Sequence, residues 1–376
     1  MVRDSKIPHS STFGGLIVGN YCHDVLIRDG VVVGETLGGA ASFISAVLDG
    51  LSISHQLVAK VGSDFAYSTN HRPIVTPTSK TTVFHAYFES EINGIGHQDR
   101  ILKRVCACDP IGPSDLPEAR FDFGMAVGVG GEILPETLEK MLDICDQVFV
   151  DVQALIRTFD AVDGTVKPVG LKDTGFSHLL PRVKFLKASA DEALFIDLEE
   201  VRKWCCVAVT QGKDGSKVYW QDGEIQIAPF IANQVDPTGA GDSFLGGFAA
   251  GIAQRLAVPD AALLGNFFGS LTVTQVGPPK IDMKLFQMVK DEMNKRRMGG
   301  LPCLERRDDG LSFRKPPDQE QFCSSLTAAK AINMYQIEES GRNPPSSSKV
   351  MEQNTKTKLL QNSLHEEPLQ SFDEDI

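Results

Sequence analysis

The sequence predicts an α/β protein with a mostly parallel central sheet flanked by helices, together with a small β-sheet of its own. From Phe121 onward, short apolar strands (FGMAV, QVFVDV, VKFLKAS, CCVAVT) alternate with helical stretches (PETLEKMLDIC, ADEALFI), which is the pattern of βα units. Two segments rich in β-branched and aromatic residues, near 24–34 and 81–105, precede this alternation. We therefore expect ligands to bind at the carboxyl ends of the parallel strands.

Length and composition agree with this class. The chain has 376 residues, of which 42% are hydrophobic and 23% charged, and such a chain buries a substantial core. A net charge of −12 argues against nucleic acid or an anionic membrane as partner. The N-terminal sequence MVRDSKIPHS lacks the apolar stretch of a signal peptide, so we expect a cytoplasmic protein. The eight cysteines have no regular spacing, which favours reduced, buried thiols over disulfides or a zinc site.

The first third of the chain predicts a strand, a hairpin and a helix. Residues 15–20 are a short buried strand, and residues 25–33 form two β-rich runs around an Asp29-Gly30 turn. Small and apolar residues then recur at helical spacing after a glycine pair, which predicts a helix that begins near Gly39. The runs TTVFHAY and RILKRV, within 81–105, predict a pair of strands inserted between the helical units.

The C-terminal part predicts helices over 242–256, 260–276 and 282 to about 297, after which the composition changes. Residues 301–376 contain many Gln, Asn and charged residues and only scattered apolar ones, so burial there does not offset the entropy of ordering. We therefore expect an extension at 1–13, one domain over 14–298 and a disordered tail over 299–376. One candidate helix lies in that tail, at 326–334.

The most informative motif is DPTGAGDSF (236–244), between a β-like run and a helix rich in small residues. Gly239, Ala240 and Gly241 let successive backbone N–H groups converge, and a helix N-terminus adds about half a positive charge, which suits a phosphate. Asp242 beside a phosphate needs a reason of its own. It takes the proton of an attacking alcohol or it caps the helix, and the residue alone leaves both interpretations open.

This motif resembles the C-terminal signature of the ribokinase-like (PfkB) carbohydrate kinases, and other segments agree in order and spacing from residue 14 to about 297. The resemblance implies a ribokinase-like fold in which the small sheet is a lid over the acceptor. It also implies transfer of a phosphoryl group from ATP, with Mg²⁺, to a small-molecule polyol. Asp242 would be the base, and Gly239 to Gly241 the anion hole.

The same resemblance assigns further residues. The segment LIVGNYCHD implies that Asp24 binds the acceptor, and LGGAAS implies the same for Gly38, Gly39 and Ser42. The segment ASADE corresponds to the family's Asn-x-x-Glu motif, so Glu192 would organise magnesium. The loop VTQGKDG and a later helix correspond to the nucleotide side, where the implied binding residues are Thr210, Gly212, Gly215 and Asn266.

Three positions depart from the family pattern. Phe43 stands where many members have Asn, Ser189 replaces the Asn of the magnesium motif, and Gln153 lies where Asp-x-Asn-x-Arg is usual, although Asp151 is kept. Lys187 lies near these positions and either contributes positive charge to the phosphates or lies in solvent. The family often binds a monovalent cation such as K⁺ beside the DPT loop. Exposed faces of a lid sheet can pair between subunits, so we expect a monomer or a homodimer.

The acceptor rests on resemblance alone. GNYCHDVLI, ACDPI and DPTGAGDSFLGG resemble the plant branch of the family that phosphorylates myo-inositol. The residues by themselves do not separate a cyclitol from another sugar or a nucleoside. A catalytically inactive binding or regulatory protein of the same fold is a further alternative.

A competing interpretation is a dinucleotide-binding fingerprint in Phe123-Gly-Met-Ala-Val-Gly-Val-Gly-Gly131, followed by Asp151 at the end of the next strand. The third glycine of G-x-G-x-x-G would fall at Ile133, so the match is partial. The alternative is that these glycines let a strand-end loop approach the substrate or the lid.

Overall fold

The computed structural model describes residues 13–88, 101–299 and 313–342. Three predicted segments lie partly outside the described residues. The parts concerned are 1–12 of the extension, 89–100 of the lid, and 300–312 and 343–376 of the tail. The strands are β1 (Phe13–Val18), β2 (Cys22–Arg28), β3 (Val31–Gly38), β4 (His55–Val58), β5 (Lys60–Gly62), β6 (Ile74–Thr76), β7 (Thr82–Phe88), β8 (Ile101–Cys106), β9 (Phe121–Ala126), β10 (Val148–Asp151), β11 (Arg157–Phe159), β12 (Val166–Pro168), β13 (Phe185–Ser189), β14 (Cys206–Thr210), β15 (Ser216–Trp220) and β16 (Gly223–Ile227).

The helices are α1 (Ala40–Gly50), α2 (Pro135–Ile144), α3 (Gln153–Ile156), α4 (Leu198–Val201), α5 (Ala240–Ala253), α6 (Val258–Thr272), α7 (Met283–Gly299) and α8 (Gln319–Arg342). Within the described part of the chain, no helix combines the length and the apolar character needed to cross a membrane.

Eight strands form the main sheet in the order β16-β15-β14-β13-β10-β9-β1-β4. The six strands from β14 to β4 pair in parallel, and the hairpin of β15 and β16 adds two antiparallel strands at one edge. All four residues of β10 are buried, as expected for a parallel strand that is covered on both faces. The prediction of a mostly parallel central sheet is confirmed.

Aromatic rings join the sheet to the helix that carries the phosphate motif. The rings of Phe149 on β10 and Phe185 on β13 stack with their centroids 4.6 Å apart, and Phe248 of α5 meets Phe185 edge-on at 5.3 Å. Such pairs stabilise the fold by about 0.5 to 1.5 kcal/mol beyond the stabilisation that comes from burying their surface area. They fix α5 against strands β10 and β13.

The two segments predicted for the small sheet form one four-stranded sheet, in the order β3-β2-β7-β8. Strand β2 pairs antiparallel with β3 and parallel with β7, and β7 pairs antiparallel with β8. The turn between β2 and β3 has positive φ at both Asp29 (49°) and Gly30 (79°), so the predicted Asp-Gly turn is confirmed. The hairpin is longer than predicted, since it runs from Cys22 to Gly38.

The prediction of a disordered tail beyond residue 299 is wrong for residues 313–332. Phe322, Leu326 and Ala329 of α8 are at most 3% exposed and belong to the main hydrophobic core. They recur at intervals of four and three residues, so they form one apolar stripe along the helix. Averaged composition hides such a stripe because the residues around it are polar.

Polar contacts fix α8 in the same place. Gln319 Nε2 donates to Asp260 Oδ1 of α6 at 3.0 Å, and Arg296 of α7 bonds to the other oxygen of that carboxylate at 2.6 Å. Lys330 Nζ donates to Ser270 Oγ at 2.8 Å and to the carbonyl of Ile231 at 2.9 Å. The helix therefore covers α6 and the chain that follows β16.

We expect Leu326→Ala to lower the free energy of unfolding by about 2 to 5 kcal/mol, because it removes a fully buried side chain and leaves a cavity. Ile332→Ala on the same helix is the matched control, since Ile332 is 46% exposed and its truncation should cost no more than about 0.5 kcal/mol. Urea denaturation of the full chain measures both. Equal midpoints for the two variants would contradict the packing of α8.

Candidate active site

The candidate site lies where the carboxyl ends of β10 and β13 meet the N-terminus of α5. Gly239 is the N-cap of α5 and has φ of 77°. A methyl group added there would lie 2.0 Å from the ring of Phe43, so only glycine fits. The positive φ of the motif is therefore at Gly239, and Gly241 has an ordinary helical backbone.

The first turn of α5 presents backbone amides that have no partner one turn earlier in the helix. The Ala240 amide reaches the Pro237 carbonyl at 3.3 Å, so the amides of Gly241 and Asp242 are the better placed donors for an anion. Together with the positive end of the helix dipole they form a site suited to a phosphate. Asp242 is the third residue of the helix and not its N-cap, which weakens the capping interpretation.

A buried lysine lies against this turn. Lys187 of β13 is 5% exposed, and its Nζ pairs with Asp151 Oδ2 at 3.0 Å and lies 3.9 Å from Glu192 Oε2. A methyl group on Gly241 would lie 2.9 Å from the same Nζ. Burial alone would lower the pKa of Lys187, but Asp151, Glu192 and Asp242 raise it, so the ammonium stays charged. The structure thus places Lys187 beside the first turn of α5 and not in solvent.

Asp242 has the environment of a proton acceptor. Gln153 Nε2 donates to its Oδ1 at 3.3 Å and orients the carboxylate. Burial raises the pKa of Asp242 above the usual aspartate value, although Lys187 and Arg157 oppose the shift. A carboxylate with a raised pKa takes a proton from an alcohol more readily than an ordinary one.

Two other carboxylates surround Lys187. Burial raises the pKa of Asp151 to about 7, with contributions from Glu192 and Asp242 and against the effect of Lys187. Burial would also raise the pKa of Glu192, but Lys187 and Arg157 hold it below its usual value. Glu192 Oε2 accepts the Ser189 amide at 2.8 Å and its own amide donates to Ser189 Oγ at 3.1 Å. Ser189 thus orients Glu192 by reciprocal bonds.

The residues predicted for the acceptor converge on the same region. Asp24 of β2 lies beside Gly38 of β3, where an added methyl group would be 2.1 Å from Asp24 Oδ2. Gly39 has φ of 86° and begins α1, and Ser42 Oγ donates to the Gly39 carbonyl at 2.8 Å. Phe43 in the next position packs on Gly239. Helix α1 therefore joins the acceptor segment to the phosphate motif.

We expect Gly38→Ala to raise KM for the acceptor at least about tenfold, because the new methyl group displaces the Asp24 carboxylate. KM for the phosphate donor should change little. Gly34→Ala on the same strand is the control, since its methyl group would meet only Leu26, at 3.7 Å. Steady-state kinetics with each substrate varied measures the two constants, and equal acceptor KM in both variants would remove Asp24 from that role.

The residues predicted for the nucleotide lie at the far edge of the parallel strands. Thr210 ends β14, and Gly212 (φ 56°) and Gly215 (φ 87°) shape the loop before β15. Asn266 of α6 is 8% exposed, and its Nδ2 donates to the Ala228 carbonyl at 2.8 Å and to the Ile227 carbonyl at 3.3 Å. Asn266 therefore holds the segment that follows β16.

A buried carboxylate oxygen lies beside the phosphate motif. Asp236 Oδ1 accepts the Thr238 amide at 2.9 Å, whereas Oδ2 is buried and has no hydrogen-bond partner among the described residues. Leaving such an oxygen without a partner is costly. A cation at this loop would compensate it.

The glycine loop at 128–131 holds an internal anion. Glu132 is buried, and its carboxylate accepts the amides of Gly130 at 2.7 Å, Val129 at 3.1 Å and Asn20 at 2.9 Å. Amides that would hold a pyrophosphate in a dinucleotide site are thus already engaged, so that interpretation does not fit. The Gly130 carbonyl accepts a hydrogen bond from Arg104 of β8, which links the loop to the small sheet.

Comparisons with known proteins agree with this geometry. Residues 139–281 match the model of the pfkB family carbohydrate kinases. The chain is 65% identical over 282 residues to an inositol 3-kinase of Arabidopsis thaliana. The aligned region covers 75% of this chain and 80% of that protein. It is 51% identical over 329 residues to an inositol 3-kinase of Oryza sativa subsp. japonica. That alignment covers 85% of this chain and 82% of the rice protein.

Solved structures show the same fold at low identity. A pyrophosphate-dependent kinase of the ribokinase family in complex with sulfate has a TM-score of 0.60 at 16% identity, covering 71% of this chain and 97% of that one. A nucleoside kinase of Methanocaldococcus jannaschii has a TM-score of 0.55 at 16% identity. The superposition covers 77% of this chain and 100% of that one. With this ribokinase-like fold and with relatives above 50% identity along four fifths of their length, the chain belongs to the pfkB family of carbohydrate kinases.

Proposed function

We propose that this protein transfers the terminal phosphoryl group of ATP to a hydroxyl of myo-inositol, giving ADP and an inositol monophosphate. The observation that carries the reaction class is the buried Asp242 carboxylate beside Lys187 and the first turn of α5. Identity of 51% to 65% with inositol 3-kinases supports the acceptor. At this identity a shared acceptor is a more economical assumption than a new one.

In this mechanism Asp242 accepts the proton of the attacking hydroxyl as its oxygen forms a bond to the terminal phosphorus of ATP. The bond from that phosphorus to the bridging oxygen breaks, and ADP leaves with the electron pair. The amides of the first turn of α5 and the ammonium of Lys187 stabilise the charge that spreads over the transferring group. Each group is fixed before the reaction, so little reorganisation is required.

Magnesium fits the carboxylate at the end of β13. Glu192 is ionised and held by Ser189, and Mg²⁺ is commonly bound by one or two carboxylates together with phosphate oxygens and water. Glu192 would hold the ion. Bound Mg²⁺ would neutralise charge on the donor phosphates.

A monovalent cation such as K⁺ fits beside Asp236, because Oδ2 of that residue is buried without a hydrogen bond among the residues described. The cation would offset the negative charge of Asp236, and the loop that leads into Gly239 would keep its shape. Such a cation would act on the position of the anion hole and take no part in the transfer.

The small sheet would close over the acceptor as a lid. Asp24, on the strand of this sheet that pairs with the glycine segment, would accept hydrogen bonds from hydroxyl groups of the polyol. Closure excludes water, which limits hydrolysis of ATP and strengthens electrostatic contacts. The edge strand β3 also presents Val31, Val32 and Val33, each more than half exposed, which favours a homodimer over a monomer.

The test is a panel of acceptors with purified protein and Mg²⁺, with ATP and pyrophosphate compared as donors. We expect the highest kcat/KM for myo-inositol with ATP, above ribose, fructose and adenosine, and ³¹P NMR should show a phosphate monoester. A higher kcat/KM for ribose or adenosine would overturn the acceptor. Absence of turnover with every pair would favour the alternative of a catalytically inactive protein of this fold.

A further inference from the structure

A second cluster of polar side chains shares no residue with the active site. Asp49 lies in the last turn of α1, His55 is the first residue of β4, and His71 lies in the loop between β5 and β6. His71 Nε2 is 2.9 Å from Asp49 Oδ1, and His55 Nε2 is 3.7 Å from the same oxygen. One ligand atom from each residue lies within 4.8 Å of the other two.

The imidazole of His55 is prepared for a ligand. Its side chain is 1% exposed, and Nδ1 donates its proton to the Ile53 carbonyl at 2.9 Å. That bond leaves the lone pair on Nε2, which is buried without a hydrogen-bond partner in the described part of the chain. Metal-binding histidines characteristically donate the opposite ring N–H to a backbone carbonyl or a carboxylate in this way.

The carboxylate of Asp49 is held from its other side. Asn70 Nδ2 donates to Oδ2 at 3.0 Å, which leaves Oδ1 directed at both histidines. A negative charge in the last turn of a helix is unfavourable, because the helix dipole is negative there. A bound cation would offset this charge, and it would also accept the lone pair of His55 Nε2.

We propose that Asp49, His55 and His71 bind a zinc ion. Two imidazoles and one carboxylate are a preferred ligand set for Zn²⁺, with a fourth position for water. At zinc–nitrogen distances of about 2.0 to 2.1 Å, tetrahedral ligand atoms lie about 3.3 Å apart. The two distances to Asp49 Oδ1, 2.9 and 3.7 Å, are within a few tenths of an ångström of this value, and the ligand atoms of the two histidines lie within 4.8 Å of each other. Asp49 and His71 are partly exposed, which gives the ion a path of entry.

Mg²⁺ at the concentration a kinase requires should not compete for this site. It prefers oxygen ligands in an octahedral shell, whereas two of the three ligands here are nitrogens. The two metals would thus occupy separate sites, Mg²⁺ at the phosphates and Zn²⁺ at the cluster.

The zinc site would fix a loop that supports the small sheet. The residues between β5 and His71 include Phe65, whose ring stacks on Tyr21 at 5.7 Å, and Tyr67, whose Oη lies 2.6 Å from His23 Nδ1. His23 is the neighbour of Asp24 in β2. Zinc therefore ties α1 and β4 to a loop that reaches the acceptor strand.

The experiment titrates the full chain with Zn²⁺ by isothermal titration calorimetry, with Mg²⁺ in excess. The variants are His71→Gln and, as a matched control, His178→Gln, which replaces an exposed histidine elsewhere. We expect one equivalent to bind to the wild type and to the control, and binding to be at least about tenfold weaker in His71→Gln. Zinc should raise the melting temperature of the wild type and of His178→Gln but not that of His71→Gln.

Cysteines are the competing ligands, and Co²⁺ separates them from imidazoles. A near-ultraviolet charge-transfer band from thiolate to cobalt would assign the metal to cysteine and overturn the proposal. Absence of saturable Zn²⁺ binding by the wild type, or equal binding by His71→Gln, would also overturn it. If His71→Gln does not fold, Asp49→Asn serves in its place, since it keeps an oxygen for His71 and removes the charge; wild-type affinity in that variant contradicts the site.

Discussion

Asp242→Asn is expected to lower kcat by about 10²-fold or more, while KM for ATP stays within about twofold. The amide keeps the shape of the side chain and its contact with Gln153 but accepts no proton from the attacking hydroxyl. Single-turnover kinetics isolates the chemical step. Asp222→Asn, at an exposed turn between β15 and β16, is the control and should retain wild-type kcat.

The pH dependence gives a second test of the same carboxylate. Asp242 must be deprotonated to act, so kcat falls as the pH drops through its pKa. Because burial raises that pKa, the fall begins at a higher pH than an ordinary aspartate would give. The acidic limb should disappear in Asp242→Asn, and near-wild-type kcat in that variant would remove Asp242 from the mechanism.

Lys187→Met is expected to reduce both stability and catalysis. Removing one partner of a buried ion pair leaves Asp151 without its counter-charge, which costs about 3 to 5 kcal/mol of unfolding free energy while that carboxylate stays ionised. Loss of a fixed positive charge at the anion site should lower kcat by about 10²-fold. Lys184→Met is the control, because Lys184 is exposed three residues earlier in the same strand region.

The stability loss has a defined pH dependence. The pKa of Asp151 is raised by burial to about 7 even with Lys187 present, and it rises further without it. A group whose pKa is raised on folding binds a proton on folding, so it favours the folded state at low pH and destabilises it as the pH increases. The difference between Lys187→Met and the wild type should therefore shrink from pH 8 to pH 5.

A double variant separates the two roles of Lys187. In Lys187→Met with Asp151→Asn, the carboxylate that pairs with Lys187 at 3.0 Å is removed as well, so part of the stability should return while kcat remains low. Recovery of kcat together with stability would mean that Lys187 only supports the fold.

The local part of the site could be predicted because a short motif determines it. Gly239 to Asp242 are consecutive residues, and the amides of a helix start have one direction whatever packs around them. The sequence alone does not decide the role of Lys187, because that role depends on Asp151, which reaches it from the neighbouring strand. The partners of Glu132 likewise come from the ends of two strands. No spacing in the sequence records such pairs.

Two further features of the fold have no signal in the sequence, for other reasons. The apolar stripe of α8 contains three buried residues in a polar neighbourhood, and average composition weighs all residues equally. The ligands of the proposed zinc site come from a helix, a strand and a loop, at intervals that match no metal motif. The three residues become neighbours only in the folded chain.

The contribution of α8 to the main core has a consequence for synthesis of the protein. A ribosome adds about 5 to 20 residues per second, so roughly 30 residues between the end of α7 and Ala329 take on the order of 2 to 6 seconds. During that interval the growing chain has emerged far enough to form most of the sheet, but the apolar surface of the core that receives Phe322, Leu326 and Ala329 is bare. Exposed apolar surface of this kind makes a nascent chain prone to aggregation, and folding is completed by one of the last helices to be made.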